Sequence, residues 1–86
     1  MKVIYKYVLD PGKICQFQVP RDRALAKVGR DPTTGYPAIW FIVDKTSPTQ
    51  ECKYMVFGTG QELTGSVSHV GTAIGGMFVW HVFRVE

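Results

Sequence analysis

Two stretches of this chain place large apolar side chains on both faces of an extended backbone. The closing run Gly75-Gly76-Met77-Phe78-Val79-Trp80-His81-Val82-Phe83-Arg84-Val85 is apolar at odd and even positions alike, and Pro37-Ala38-Ile39-Trp40-Phe41-Ile42-Val43 repeats the pattern. Successive side chains of a strand point to opposite sides of its sheet, so strands of this kind must be covered twice. A chain of 86 residues has little material with which to cover both sides of a sheet. A partner chain or a ligand pocket would complete the cover, which points to an oligomeric β-domain.

The rest of the chain agrees with a single domain spanning residues 1–86. Apolar residues make up 45% and charged residues 20%, a balance that belongs to globular rather than disordered chains. Turn signals recur at short intervals and divide the sequence into seven strands. The first runs from about Lys2 to Leu9 and stops at Asp10-Pro11-Gly12. The second passes through Ile14, Cys15, Phe17 and Val19 to Pro20. Because Pro presets φ and Gly permits positive φ, that triplet reads as a tight turn joining the two into a hairpin. A third strand, Ala24 to Arg30, leads through the loop Asp31-Pro32-Thr33-Thr34-Gly35 into a fourth, Pro37 to Asp44, again as a hairpin. After Thr46-Ser47-Pro48-Thr49 comes a fifth strand, Glu51 to Phe57. Gln61 to Ser68 is polar and reads as a surface loop. A sixth strand, His69 to Ile74, meets the last strand through Gly75-Gly76. No segment carries an amphipathic helical period. Seven short antiparallel strands make an all-β small sandwich or partly open barrel, whose edges invite pairing into a homo-oligomer.

Charge and cysteines narrow the possible partners. Lys and Arg exceed Asp and Glu by 10 to 7, and Arg21, Arg23, Lys27 and Arg30 form the one basic cluster. It suits phosphates of a nucleic acid or a small nucleotide, or else keeps an edge strand from stray pairing. No Lys/Arg run or interleaved aromatic stripe accompanies it, so nucleic acid is not expected. Cys15 and Cys52 lack metal or redox spacing and read as small buried, reduced hydrophobes. Lys6 interrupts the apolar core that a signal peptide would need, and no run reaches the ~20 apolar residues of a membrane span. These features point to an intracellular protein with no membrane association and no cofactor.

For chemistry, Gly58-Thr59-Gly60 has approachable backbone amides and a hydroxyl suited to an anion, though its glycines equally serve a bend at a strand end. His69 beside the loop reads as a ligand contact, whereas His81, inside the last strand, reads as a core or interface histidine. Trp40 and Trp80 are the aromatics that would stack on a base, and Arg23 or Arg30 would neutralise its phosphate. No nucleophile, base and orienting acid are spaced for hydrolysis, and no metal set is visible, so the chain is not read as an enzyme.

Several of these segments carry a resemblance. Lys2-Val3-Ile4-Tyr5-Lys6-Tyr7, the Trp-containing strand closing on Asp44, Val56-Phe57-Gly58-Thr59-Gly60, Val70-Gly71-Thr72, Gly75-Gly76 and Trp80-His81-Val82-Phe83 are similar to a family of short phage and prophage proteins described as a domain of unknown function. Gln61-Glu62-Leu63 departs from the polar residue and proline that relatives often place after Gly-Thr-Gly. The resemblance implies a phage origin, a small β-fold and a place in the cytoplasm of an infected bacterium. By analogy with small oligomeric phage β-proteins, it implies sequestration of a nucleotide immune signal, of cyclic ADP-ribose or cyclic dinucleotide type, against bacterial defence. The alternative is a phage protein–protein interaction module, either a host-protein inhibitor or a minor assembly factor.

Overall fold

The computed structural model describes Met1–Glu86 and consists of seven antiparallel strands in two sheets. These are β1 Lys2–Val8, β2 Cys15–Pro20, β3 Arg23–Arg30, β4 Pro37–Asp44, β5 Thr49–Gly58, β6 Val67–Gly75 and β7 Phe78–Val85. Sheet one has the order β1-β4-β3 and sheet two the order β2-β5-β7-β6. The shortest extent of the molecule is 16 Å, enough for two face-to-face sheets about 10 Å apart and no third layer. The sheets do not close into a barrel, so the all-β sandwich is the form adopted.

The core lies between the sheets. From sheet one, β4 contributes Ile39, Phe41 and Val43; from sheet two, Cys15, Val19, Cys52, Tyr54, Val56 and Val82 meet them, with Leu9 at the margin. Tyr7 and Phe17 face one another across the gap at 5.1 Å. Along β5 the period of two is clean, with Cys52, Tyr54 and Val56 inward and Lys53 exposed. On the other flank, β3 and β6 approach so closely that a Cβ on Gly71 would lie 2.6 Å from Val28.

The hairpin expected between the first two strands does not form. β1 pairs with β4 and β2 with β5. The Asp10 turn is present, with the Asp10 carboxylate accepting from the Gly12 amide at 2.9 Å. Leu9, however, stays beside sheet one through its amide bond to the Pro37 carbonyl at 2.8 Å. The chain then steps across to the other sheet. Pro-Gly chemistry reverses a chain locally but does not choose which sheet receives it. The β3–β4 hairpin does form, with Gly35 at φ 76°, and β6–β7 closes with Gly76 at φ 61°. Its two turn residues are Gly76 and Met77, one position later than the expected Gly75-Gly76, because Gly75 already pairs with Phe78.

The outer side of β4 is covered mainly by the chain itself. Opposite the core row lie Ala38, Trp40 and Ile42. Ala38 is buried and Trp40 half-buried, with the Lys27 ammonium 5.8 Å from the indole centroid. Lys6, paired in register with Trp40, reaches Asp31 at 2.7 Å, which draws its aliphatic stem across this side. Lysine stems thus cover part of this side, over Ala38 and Trp40. Ile4 and Ile42 remain exposed beside them.

Candidate functional site

The residues expected to form one site are distributed over four places. Arg23 is a structural side chain: its guanidinium donates to the Pro20 carbonyl at 3.0 Å and to Cys52 Sγ at 3.5 Å, and it lies 5.8 Å over the Phe41 ring. Trp40 sits on the outer side of sheet one under Lys27, remote in topology from Trp80, which faces inward from sheet two and packs against the core.

Thr59 and His69 belong to a third place, the outer side of sheet two. There His81 Nε2 and Thr59 Oγ1 are 2.8 Å apart, His81 Nδ1 and Thr72 Oγ1 3.1 Å, and Thr72 Oγ1 and His69 Nε2 3.2 Å. His81 therefore bonds through both ring nitrogens on an outer face, rather than through one in a core. In its neutral form it donates at one nitrogen and accepts at the other, so its two threonines take opposite roles. A bulge between His69 and Gly71 brings His69 and Thr72 to the same side; without it their odd and even positions would oppose. The return segment, residues 59–66, joins two strands that run parallel on either side of β7. It must pass along the outer side, since sheet one fills the inner, and Phe57 of the outer row is only 1% exposed there. At Gly58-Thr59-Gly60 the strand ends in a turn: the Gly58 amide donates to the Gln61 side-chain carbonyl at 3.0 Å and the Gln61 amide to the Gly58 carbonyl at 3.1 Å. Gly60 adopts φ 86°. The Gly58 amide is thus occupied by a side chain of the same loop, Gln61.

The fourth place joins two expected residues, Arg30 and Trp80. A cleft of about 350 Å³ opens where the β3–β4 and β6–β7 hairpins end side by side, lined by Arg30, Thr34, Tyr36, Met77, Phe78 and Trp80 together with Gly35, Gly75, Gly76 and Pro11. A volume in this range accommodates a small organic ligand. Phe78 and Trp80 are stacked, 5.2 Å apart with 16° between their planes. Trp80 rests on the core and Phe78 is 58% exposed, so the stack ends in an uncovered ring. Arg30 has no hydrogen-bond or ion-pair partner. Its side chain passes between three glycines: a Cβ would lie 2.6 Å from Arg30 Cδ at Gly75, 3.3 Å from Nη2 at Gly35 and 3.5 Å from Nη1 at Gly76. A side chain at Gly75 would push the Arg30 stem aside, one at Gly35 would crowd its guanidinium, and one at Gly76 would only touch it.

The neighbouring Asp31 does not neutralise Arg30. Its carboxylate is 1% exposed and accepts from Lys6 at one oxygen and from the Thr34 amide and hydroxyl at the other. The Lys6 bond, then the Thr34 bonds, hold its pKa down at about 2. The other displaced groups are structural as well. Burial, with the Cys52 thiol second, pushes Tyr54 up to about 12, burial raises Tyr7, and Thr46 lowers Asp44. No cluster of His, Cys, Asp and Glu is arranged to hold a metal, and no helix is long and apolar enough to cross a membrane. Both cysteines are buried and free.

Tyr36, Phe78 and Arg30 were the pieces that spacing did not bring together. Tyr36 and Phe78 are the exposed aromatics of two different hairpin ends, and only their loops' shared location at one end of the sandwich joins them. Fold and cleft together define a small two-sheet β-sandwich with a ligand-sized opening between hairpin ends. The chain belongs to the family described as Domain of unknown function (DUF7352), which matches residues 1–86. No curated protein and no solved structure matches it.

Proposed function

We propose that this protein is a non-catalytic binder of a small nucleotide, which it sequesters in the cleft between its hairpin ends. The observation that carries the reading is the unpartnered Arg30 guanidinium beside the open end of the Phe78–Trp80 stack. A guanidinium meets phosphate in a planar, bidentate geometry, and an aromatic face holds a base at about 1–3 kcal/mol. Tight binding with release of the ligand unchanged is the whole activity. In this reading the protein acts in the cytoplasm of a phage-infected bacterium, where removing a nucleotide immune signal of cyclic ADP-ribose or cyclic dinucleotide type blunts the defence it triggers. A homo-oligomer is part of the proposal, supported by the apolar side chains around the cleft's rim.

Trp80 fluorescence offers the test. Titration with mononucleotides, cyclic ADP-ribose and cyclic dinucleotides, followed by heat release and mass spectrometry of the bound molecule, should yield an intact ligand. A chemically altered ligand or a flat titration across the set would contradict the reading.

A second reading rests on the β6–β7 hairpin, where Met77 is 94%, Ile74 76% and Phe78 58% exposed. Apolar side chains grouped at a projecting turn suit a protein partner, which favours the interaction-module alternative. Ile74→Lys separates the two: Ile74 is exposed on the same hairpin but does not line the cleft, so the change abolishes a hairpin-mediated protein complex while a nucleotide held by Arg30 and Phe78 survives.

A further inference from the structure

The cleft's charge is countable. Arg30 is the one charged side chain among its lining residues. The acid next to it in the chain, Asp31, is already compensated by Lys6 at 2.7 Å. Beyond Tyr36 and Thr34, which line both, a second and wider depression of about 560 Å³ contains Lys13 and Asp10 with Ile14, Val8 and Phe17. Its two charges face each other, Lys13 Nζ standing 3.9 Å from Asp10 Oδ2, so it adds no net charge. Arg30 thus supplies the only uncompensated charge across both depressions, and it lies beside the aromatic stack.

From this count we infer that the cleft recognises one phosphate group adjoining a planar heterocycle, whether in a nucleoside monophosphate, a cyclic mononucleotide or one half of a larger cyclic signal, and gains nothing from further phosphates. The inference rests on the nucleotide-binding reading above. The base continues the Trp80–Phe78 stack, and the phosphate next to its ribose meets Arg30. Additional phosphates find no second cation and extend into water, where their hydration is already complete. A site for di- or triphosphates would need further Lys or Arg, a metal or a cradle of backbone amides. The turns here supply Gly35, Gly75 and Gly76, whose want of side chains instead makes room for Arg30. The second depression, without net charge, accommodates an uncharged extension on the sugar or base.

The test is a titration series with the full chain: nucleoside, 3′,5′-cyclic monophosphate, and 5′-mono-, di- and triphosphate, for adenine, guanine and uracil. For the base that binds best, the monophosphate should bind about ten- to a hundredfold tighter than the nucleoside, the span of one charge-assisted contact. Di- and triphosphate should stay within about threefold of the monophosphate, since no further contact forms. Arg30→Gln should reduce the monophosphate to the affinity of the nucleoside. A tenfold or greater rise from mono- to triphosphate would reveal a second cation and overturn this inference, leaving the nucleotide-binding reading intact. Equal affinity for nucleoside and monophosphate would overturn it too, since Arg30 would then be idle. If the nucleosides and every phosphate fail to bind while cyclic ADP-ribose or a cyclic dinucleotide binds, this inference falls and the nucleotide-binding reading stands; if those ligands fail as well, that reading falls too.

Discussion

Arg23 and Arg30 stand at the two ends of one strand, and the bulge between Leu25 and Lys27 turns both toward the inside of the sandwich. Arg23 lies where the chain crosses between sheets twice, from β2 to β3 and from β4 to β5. These crossings are tied together by the Arg21 amide bond to the Pro48 carbonyl at 2.8 Å and by the Asp22 amide bond to Ser47 Oγ at 3.0 Å. Everything its guanidinium needs is there: a carbonyl, a sulfur and an aromatic face. Arg30 lies where two hairpins simply end. Its neighbours are glycines and exposed aromatics, and its guanidinium bonds to nothing in the chain. The same side chain on the same strand closes the fold at one end and leaves a cation to spare at the other. What separates structure from function here is the connectivity of the surrounding loops.

Substitutions should sharpen that contrast. The largest effect is expected from Phe41→Ala, which empties a buried site and removes the ring under Arg23; a loss of about 3–5 kcal/mol should be read from urea denaturation. Next come the arginines themselves. Arg23→Gln should cost about 1–3 kcal/mol through its lost charge-assisted bonds, whereas Arg30→Gln should stay within about 0.5 kcal/mol of the parent. Equal losses from both would break the comparison. The glycines give a paired test. Gly71→Ala drives a methyl against Val28, a β-branched side chain held on the strand, and should destabilise by about 1–3 kcal/mol. Gly75→Ala meets the flexible Arg30 stem instead, so the stem should swing aside with little loss of stability but with weaker nucleotide binding.

A pH dependence is also expected at the Arg30 end. The folded pKa of Asp31, about 2, lies below its usual 3.8. Its contribution is therefore complete above about pH 4 and is lost as pH falls toward 2. Denaturation midpoints measured between these values should decline in the parent and flatten in Asp31→Asn. An unchanged slope in that variant would mean that other carboxylates dominate.

Much of the fold is legible in the chain. Seven strands follow from apolar runs and Gly/Pro punctuation, and the Asp31–Gly35 hairpin follows from its loop residues. What local sequence does not contain is the destination of a turn. Asp10-Pro11-Gly12 bends the chain as expected, yet β2 joins the sheet opposite β1 because Leu9 remains bonded to Pro37. The bulges are equally silent. Strict alternation would put Arg23 and Arg30 on opposite faces and separate His69 from Thr72, and one inserted residue in each strand reverses both outcomes. The partial cover of the outer side of β4 is also hidden from pattern, which counts Lys6 and Lys27 as charges, whereas their stems act as hydrocarbon cover over Ala38 and Trp40 and leave Ile4 and Ile42 exposed. Of the expected site residues, Arg30 and Trp80 meet in the cleft, and Thr59 and His69 meet through His81 and Thr72. Arg23 is held in the framework, and Trp40 lies on a separate face.

The most direct test compares the two ends in one experiment. Backbone amide resonances should be followed while the best-binding nucleoside monophosphate is added to the full chain. Shifts concentrated at residues 30–36 and 75–80, with residues 20–23 and 47–52 unmoved, are the expected result. Shifts centred on the Arg23 end, or spread evenly over the sandwich, would contradict a ligand cleft between the hairpins.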